Sequence, residues 1–136
     1  MIQYSFHKVS RPENFDTIEL WSQKVASMLF TSIQQIDYIF CSDAFLLEMN
    51  NDQLDHNYYT DIITFDLREN TGDPLGCEIY ISIDRVEENA TSFNCTFAEE
   101  LRRVMVHGLL HLTGMNDATS EEKEAMRAAE NQYINL

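Results

Sequence analysis

Apolar and polar positions alternate along several short stretches of this chain and recur at helical spacing along others. Ile2 to Phe6 alternates and predicts a first strand. Pro12 is suited to the first turn of a helix, and Ile18, Trp21, Val25, Met28 and Leu29 recur at helical spacing to about Phe30. Ile36 to Cys41 reads as a strand, stopped by Ser42-Asp43, which can cap a short helix through about Asp52. Thr60 to Leu67 is β-rich and mostly apolar, as an interior strand would be. A loop from Arg68 to Gly76 follows, holding Gly72-Asp-Pro74. Glu78 to Ile83 then alternates strictly, with Ile79, Ile81 and Ile83 on one face, and Asp84 to Ala90 suits a short helix.

Two helices close the chain. Thr96 and Glu99 have the spacing of a capping box, opening a helix whose core stripe is Phe97, Leu101, Val104/Met105, Gly108 and Leu112. Thr119 and Glu122 repeat the device for a last helix, with Ala125, Met126, Ala129 and Tyr133 as its inner face. Helices and strands are neither segregated nor regularly alternating. An α+β domain with a small mixed sheet of about four strands fits this order, and 136 residues without a repeat or linker predict one domain over 1–136.

The first of these two helices carries the chemistry. His107 and His111 lie four residues apart, so a helix places both imidazoles on one face, as a divalent metal requires of its first two ligands. Gly114 permits the left-handed turn that ends a helix, after which the chain can return with Asp117. A His-x3-His-x2-Gly-x2-Asp run has the spacing of the metzincin zinc signature. Gly108 stands where a zinc protease carries its general-base Glu, and without that group proteolysis by the usual route lacks a proton acceptor. The opposing reading is two hydrogen-bonded helix histidines followed by a glycine stop. Asp117 itself is open to two roles, third ligand or a base beside the ion.

Composition narrows the partners. Nine Lys and Arg against 23 Asp and Glu give a formal charge of −14. Such a chain repels polyanions at long range, so contact with nucleic acid must rest on a local basic patch, a metal or a delivering partner; the charge also serves solubility. No run approaches the roughly 18 to 20 apolar residues of a membrane span, and the first residues read as no signal peptide. Cys41, Cys77 and Cys95 are widely spaced and odd in number, which predicts reduced core thiols of a cytosolic protein.

From about Asp37 onward the chain resembles the YbeY family of rRNA maturation factors. His107-Gly-Leu-Leu-His-Leu-Thr-Gly114 matches the family hallmark H-G-x-L-H-L-x-G-Y-D-H through its glycine. Thr60-Asp-Ile-Ile-Thr-Phe65 is similar to the family's T-D-V-L-S-F, and Asn50 to the Asn of its L-N pair. Gly76 to Ile81 resembles the G-D-I-x-I strand, and Met126 with Glu130 the terminal M-x3-E. Met115-Asn116-Asp117 departs from Tyr-Asp-His, Leu54 stands at the family's Arg, and Cys77 displaces a glycine to Gly76.

The resemblance implies a zincin-like metal helix and one Zn²⁺ held by His107, His111 and Asp117, the last in place of a third His. It implies a metal-dependent endoribonuclease that cuts single-stranded RNA in small-subunit rRNA 3′-end maturation and ribosome quality control. Its partners would be the small ribosomal subunit and its proteins, with an assembly GTPase, in the cytoplasm and away from membranes. Two histidines and a carboxylate also suit iron(II), manganese or nickel. A guanidinium stabilises phosphate charge by paired bonds, which Leu54 cannot do; Arg85, Arg102, Arg103 and His56 are the candidates to replace it. The rival reading is a non-catalytic ribosome-assembly factor with a structural metal. A weaker third is a metal-binding protein unrelated to RNA.

Overall fold

A computed structural model of the chain describes residues 1–54 and 59–136, the side chains of residues 53 and 54 excepted. Its elements run β1 (Ile2–Phe6), α1 (Phe15–Leu29), β2 (Ile33–Cys41), α2 (Asp43–Leu54), β3 (Ile62–Asp66), β4 (Leu75–Ser82), α3 (Ile83–Ser92), α4 (Phe97–Leu112) and α5 (Ser120–Tyr133). The four strands form one sheet in the order β1-β2-β4-β3. The first three of that order are parallel and β3 is antiparallel to β4. This is the mixed α+β sheet expected from the sequence.

Strand pairing sets the two faces. Tyr4, Tyr38, Ile79 and Thr64 form one row across the sheet, and Phe6, Phe40, Ile81 and Ile62 the next. These rows belong to the face carrying the main core, with Phe15, Trp21 and Val25 of α1 and Leu101, Met105 and Leu109 of α4. On the opposite face, Leu46, Phe45 and Met49 of α2 cover Ile63, Phe65 and Tyr80.

Several boundaries differ from the sequence reading, each for a local reason. Helix α1 begins at Phe15, three residues after Pro12, because Asn14 adopts the left-handed conformation at φ 58°. Strand β2 begins at Ile33, pairing Ile33 with Leu75 and Gln35 with Gly76 across a register shift. Thr60 to Leu67 is not interior: β3 is the sheet edge, and it is apolar because α2 covers its far face. Ile83 leaves the strand, since Ser82 caps α3 by accepting from the Arg85 amide. At α4 only the Thr96 half of the capping box is formed, whereas Thr119 and Glu122 make both bonds at α5. On α5, Ala125 is exposed and Glu130 takes an inner position beside Met126. Cys41 and Cys77 are buried and Cys95 partly so, all three free. Burial pushes the Cys41 and Cys77 thiols up to about 12, which leaves them inert as nucleophiles.

The second half of helix α4 is buried almost all round. Between Val104 and Leu112 only His107 and His111 are not buried. Gly108 explains how closely this helix approaches the sheet: a Cβ there would lie 2.9 Å from Ile62 Cδ1 and 3.3 Å from Ile79 Cγ2 and Thr64 Oγ1. The side chain a protease would place here is therefore excluded by packing. Gly108→Ala is expected to be nearly neutral: rotation of Ile62 relieves its contact, and the small shift that Ile79 and Thr64 must make at 3.3 Å offsets the gain of about 1 kcal/mol in helix propensity. Gly108→Leu has no such relief and should cost about 3 kcal/mol by overpacking. Urea midpoints of the two variants measure the difference.

Candidate metal centre

The end of α4 turns the chain back on itself. Gly114 sits at φ +106°, its amide bonds to the His111 carbonyl at 3.0 Å, and the Met115 amide bonds to the Leu110 carbonyl at 3.3 Å. This paired closure is the Schellman arrangement, for which a glycine at the left-handed position is favoured. It returns Asp117 to the histidine face. His107 Nε2 and His111 Nε2 are 3.0 Å apart, and Asp117 Oδ2 lies 3.5 and 3.6 Å from them. These three residues form a group able to hold a metal ion.

The donor set can be tested against an ion. Ligands of a tetrahedral ion, each about 2.0–2.1 Å from it, are about 3.3–3.4 Å apart. The observed triangle matches that spacing. Protonation matches too. His111 Nδ1 is 2.9 Å from the Met115 carbonyl oxygen, which can only accept, so this nitrogen carries the hydrogen. His107 Nδ1 donates in the same way to Glu130 Oε2 at 2.7 Å. With both rings neutral, the two Nε2 lone pairs would face one point 3.0 Å apart, and a cation there would remove their repulsion. Fixing each ring through its other nitrogen is how metal-binding histidines are ordinarily oriented.

Glu130 is the residue that sequence reasoning placed least well. Known only from a resemblance, it is 4% exposed and joins His107 to Arg103 Nη1 at 3.2 Å. Burial disfavours protonated His107, but the Glu130 bond and charge, aided by Asp117 and Asp61, outweigh it and raise the pKa above the ordinary histidine value. In the metal-free chain, protonated His107 therefore contributes stability that is complete below about pH 6.5 and lost as pH rises through the folded value. Metal binding needs the neutral ring, so it runs the other way. Affinity measured with a competing chelator is expected to fall by more than tenfold between about pH 8 and about pH 6, proton competition starting early because this pKa is raised.

The three donors open into a cleft of about 610 Å³ between α4 and the β3 edge, lined by Thr60, Asp61, Ile62, Thr64 and Asp66. Burial raises the Asp61 carboxyl, against the lowering effect of His107 and its own backbone amide. Thr60 bonds back to the Ile62 carbonyl, and Asn50 is buried in α2.

The candidate replacement cations are distributed unevenly. Arg85 is paired to Asp43 at 2.7 Å, and Arg102 Nε bonds to the Ile134 carbonyl at 2.8 Å. Arg103 lies beside the centre but is held by Glu130 and Asn131. Arg127, which the sequence did not single out, lines the space beside His107 and Asp117; its side chain is 54% exposed and only loosely paired, with Nε 3.9 Å from Glu130 Oε1. His56 and the Leu54 side chain lie outside the described residues. His7 packs on Phe45, away from the centre.

Comparison with known proteins follows the same outline. The family model described as endoribonuclease YbeY matches residues 4–136. The chain belongs to the endoribonuclease YbeY family. A relative bearing that name from Cytophaga hutchinsonii is 53% identical over 119 residues, covering 88% of this chain and 82% of its own length. Another from Phocaeicola vulgatus is 43% identical over 137 residues, covering 100% of this chain and 98% of the relative. The solution structure of TM1509 from Thermotoga maritima superposes with a TM-score of 0.69 at 27% identity, covering 99% of this chain and 87% of the other. The matched residues thus include His107, His111 and Asp117. Family membership agrees with the argument from Gly108 against a protease.

Proposed function

We propose that this chain is a metal-dependent endoribonuclease that cuts single-stranded RNA in small-subunit rRNA 3′-end maturation, with His107, His111 and Asp117 as its metal ligands. The observation that supports it most is the triangle of three donor atoms, 3.0 to 3.6 Å on a side, at the mouth of a cleft bounded by a sheet edge. Family membership supplies the reaction class, hydrolysis of RNA. Zinc is the proposed ion; when bound it supplies Lewis acidity to the scissile phosphate.

The chain's own residues do the rest. Glu130 and the Met115 carbonyl orient the two imidazoles so that neither must reorganise on binding. Asp117 adds a negative charge, which tempers the acidity that three neutral ligands would give. Asp61, raised by burial and lining the cleft, takes the proton of the attacking water. Arg127 offers the guanidinium that balances charge on the phosphate, the part the family's arginine would play at position 54. Single-stranded substrate lies along β3, the edge strand, rather than along β4, which is interior.

The small ribosomal subunit, its proteins and an assembly GTPase are the proposed partners. A delivering partner offsets the long-range repulsion of a chain with charge −14. The non-catalytic alternative is not favoured, because the relatives are named as endoribonucleases.

One variant series tests the roles. Asp117→Ala is expected to lose the metal and Asp117→His to retain it. Asp61→Asn should keep the metal while cleavage falls about 10²-fold or more. Metal analysis beside the cleavage rate decides: Asp117→Ala with full metal content removes Asp117 as a ligand, and an unchanged Asp61→Asn rate removes the base.

A further inference from the structure

Two turns before His107 on α4, a carboxylate is buried without an evident reason. Glu100 is 3% exposed, and among the described residues its Oε1 is the buried side-chain oxygen that no hydrogen bond reaches. Its nearest cation, Arg103 Nε, is 3.8 Å away, beyond hydrogen-bonding distance. Burial raises its pKa despite the Arg103 charge. Such a group lowers stability, and natural proteins break this rule chiefly at functional sites.

Glu100 lines a second cavity of about 300 Å³ together with Phe93, Arg103 and Arg127, and this cavity adjoins the metal cleft through Asp61, His107 and Asp117. We propose that this cavity receives the base of a nucleotide adjoining the scissile phosphate, and that Glu100 selects bases bearing an exocyclic amino group. This rests on the endoribonuclease reading above.

The chemistry of the cavity decides what enters it. An ionised carboxylate only accepts hydrogen bonds, so the partner of Glu100 must bring N–H or O–H donors; a phosphate can meet Arg127 at the mouth but cannot bond to Glu100. Adenine, cytosine and guanine present amino groups on the edge that single-stranded RNA leaves open, and a carboxylate accepting from such an amine is an established mode of base reading. Uracil presents two carbonyls flanking one imino group, and the carbonyls repel a carboxylate. Phe93 is 59% exposed at the cavity and offers a flat face for stacking. The seven-residue step from Glu100 to His107 spans about 10 Å of helix, placing the cavity near rather than at the cut. An acidic chain that gains little from phosphates can in this way gain selectivity from bases.

The test uses metal-loaded protein and single-stranded RNA oligonucleotides that differ only in the base at each position within two nucleotides of the cut. Wild type is expected to disfavour uracil at one position by about tenfold in kcat/KM. In Glu100→Gln that ratio should collapse toward one, because the amide can donate to the uracil carbonyl. A 2′-deoxy substitution at the same position should leave the preference in place. Uracil tolerated at every position by wild type overturns the proposal, with no dependence on a variant. So does a base profile identical in wild type and folded Glu100→Gln, or a preference that vanishes with the 2′-hydroxyl. Cleavage of none of the oligonucleotides overturns the endoribonuclease reading and this proposal with it, whereas even cleavage of all of them overturns this proposal alone.

Discussion

His111→Ala is expected to abolish metal binding and to lower cleavage of single-stranded RNA by at least about a thousandfold, or about 4 kcal/mol of barrier. The magnitude follows from the geometry. His111 is one corner of a triangle whose other corners are 3.0 and 3.6 Å away, and two remaining donors do not define a site with an open position. Folding should survive, because the ring is a third exposed and its bond to the Met115 carbonyl is local to the helix end. Circular dichroism and metal content, taken beside the rate, check all three statements. A variant that cuts as fast as wild type means that the activity belongs to a contaminant.

Glu130→Ala is expected to have the next largest effect, and on stability as well as on metal. Its carboxylate bonds His107 at 2.7 Å and Arg103 at 3.2 Å while almost fully buried. Removing it leaves Arg103 paired only at 3.8 Å to Glu100 and by its bond to Asn131. Breaking a buried pair from one side costs about 3 kcal/mol. The loss of ring orientation should weaken metal binding by about 10- to 100-fold. Glu130→Gln keeps an acceptor for His107 but not the charge, and should retain more stability than alanine. Denaturant midpoints and chelator competition separate the two contributions. Equal metal affinity in wild type and Glu130→Ala would remove Glu130 from the centre.

Much of this centre was legible from residue order. The histidine spacing, the glycine stop at Gly114 and the returning Asp117 all depend on contacts within eleven residues of His107, where helical periodicity and turn chemistry govern. The strands were legible for a similar reason, since Tyr38 and Phe40 alternate with Asp37 and Ile39 between a buried face and a wetter one. What failed depended on docking. A glutamate on a charged helix reads as solvated, and Glu130 is buried only because α5 packs onto α4. Arg127, three residues earlier, was passed over in the same way. Strand β3 read as interior because a strand covered on both faces has one apolar pattern whether or not a neighbour pairs with its edge. Asn14 delayed α1 past Pro12 through a left-handed conformation that nothing in the spacing announces.

Gly108 shows how the two kinds of information meet. In sequence it marked a missing protease base and a place in the core stripe of the helix. In the fold it is the point where α4 touches Ile62, Ile79 and Thr64, which sets the width of the cleft between the helix and β3. The width of that cleft and the packing of the helix are thus determined by the same residue.

The most direct test of the account is reconstitution. Protein stripped of metal would be titrated with zinc while cleavage of a single-stranded RNA carrying the small-subunit rRNA 3′ end is followed. No cleavage is expected at the start, then a linear rise and saturation at one equivalent, with Asp117→Ala remaining inactive throughout. Full cleavage by the stripped protein, or none at one equivalent of zinc or any other divalent transition metal, would contradict it.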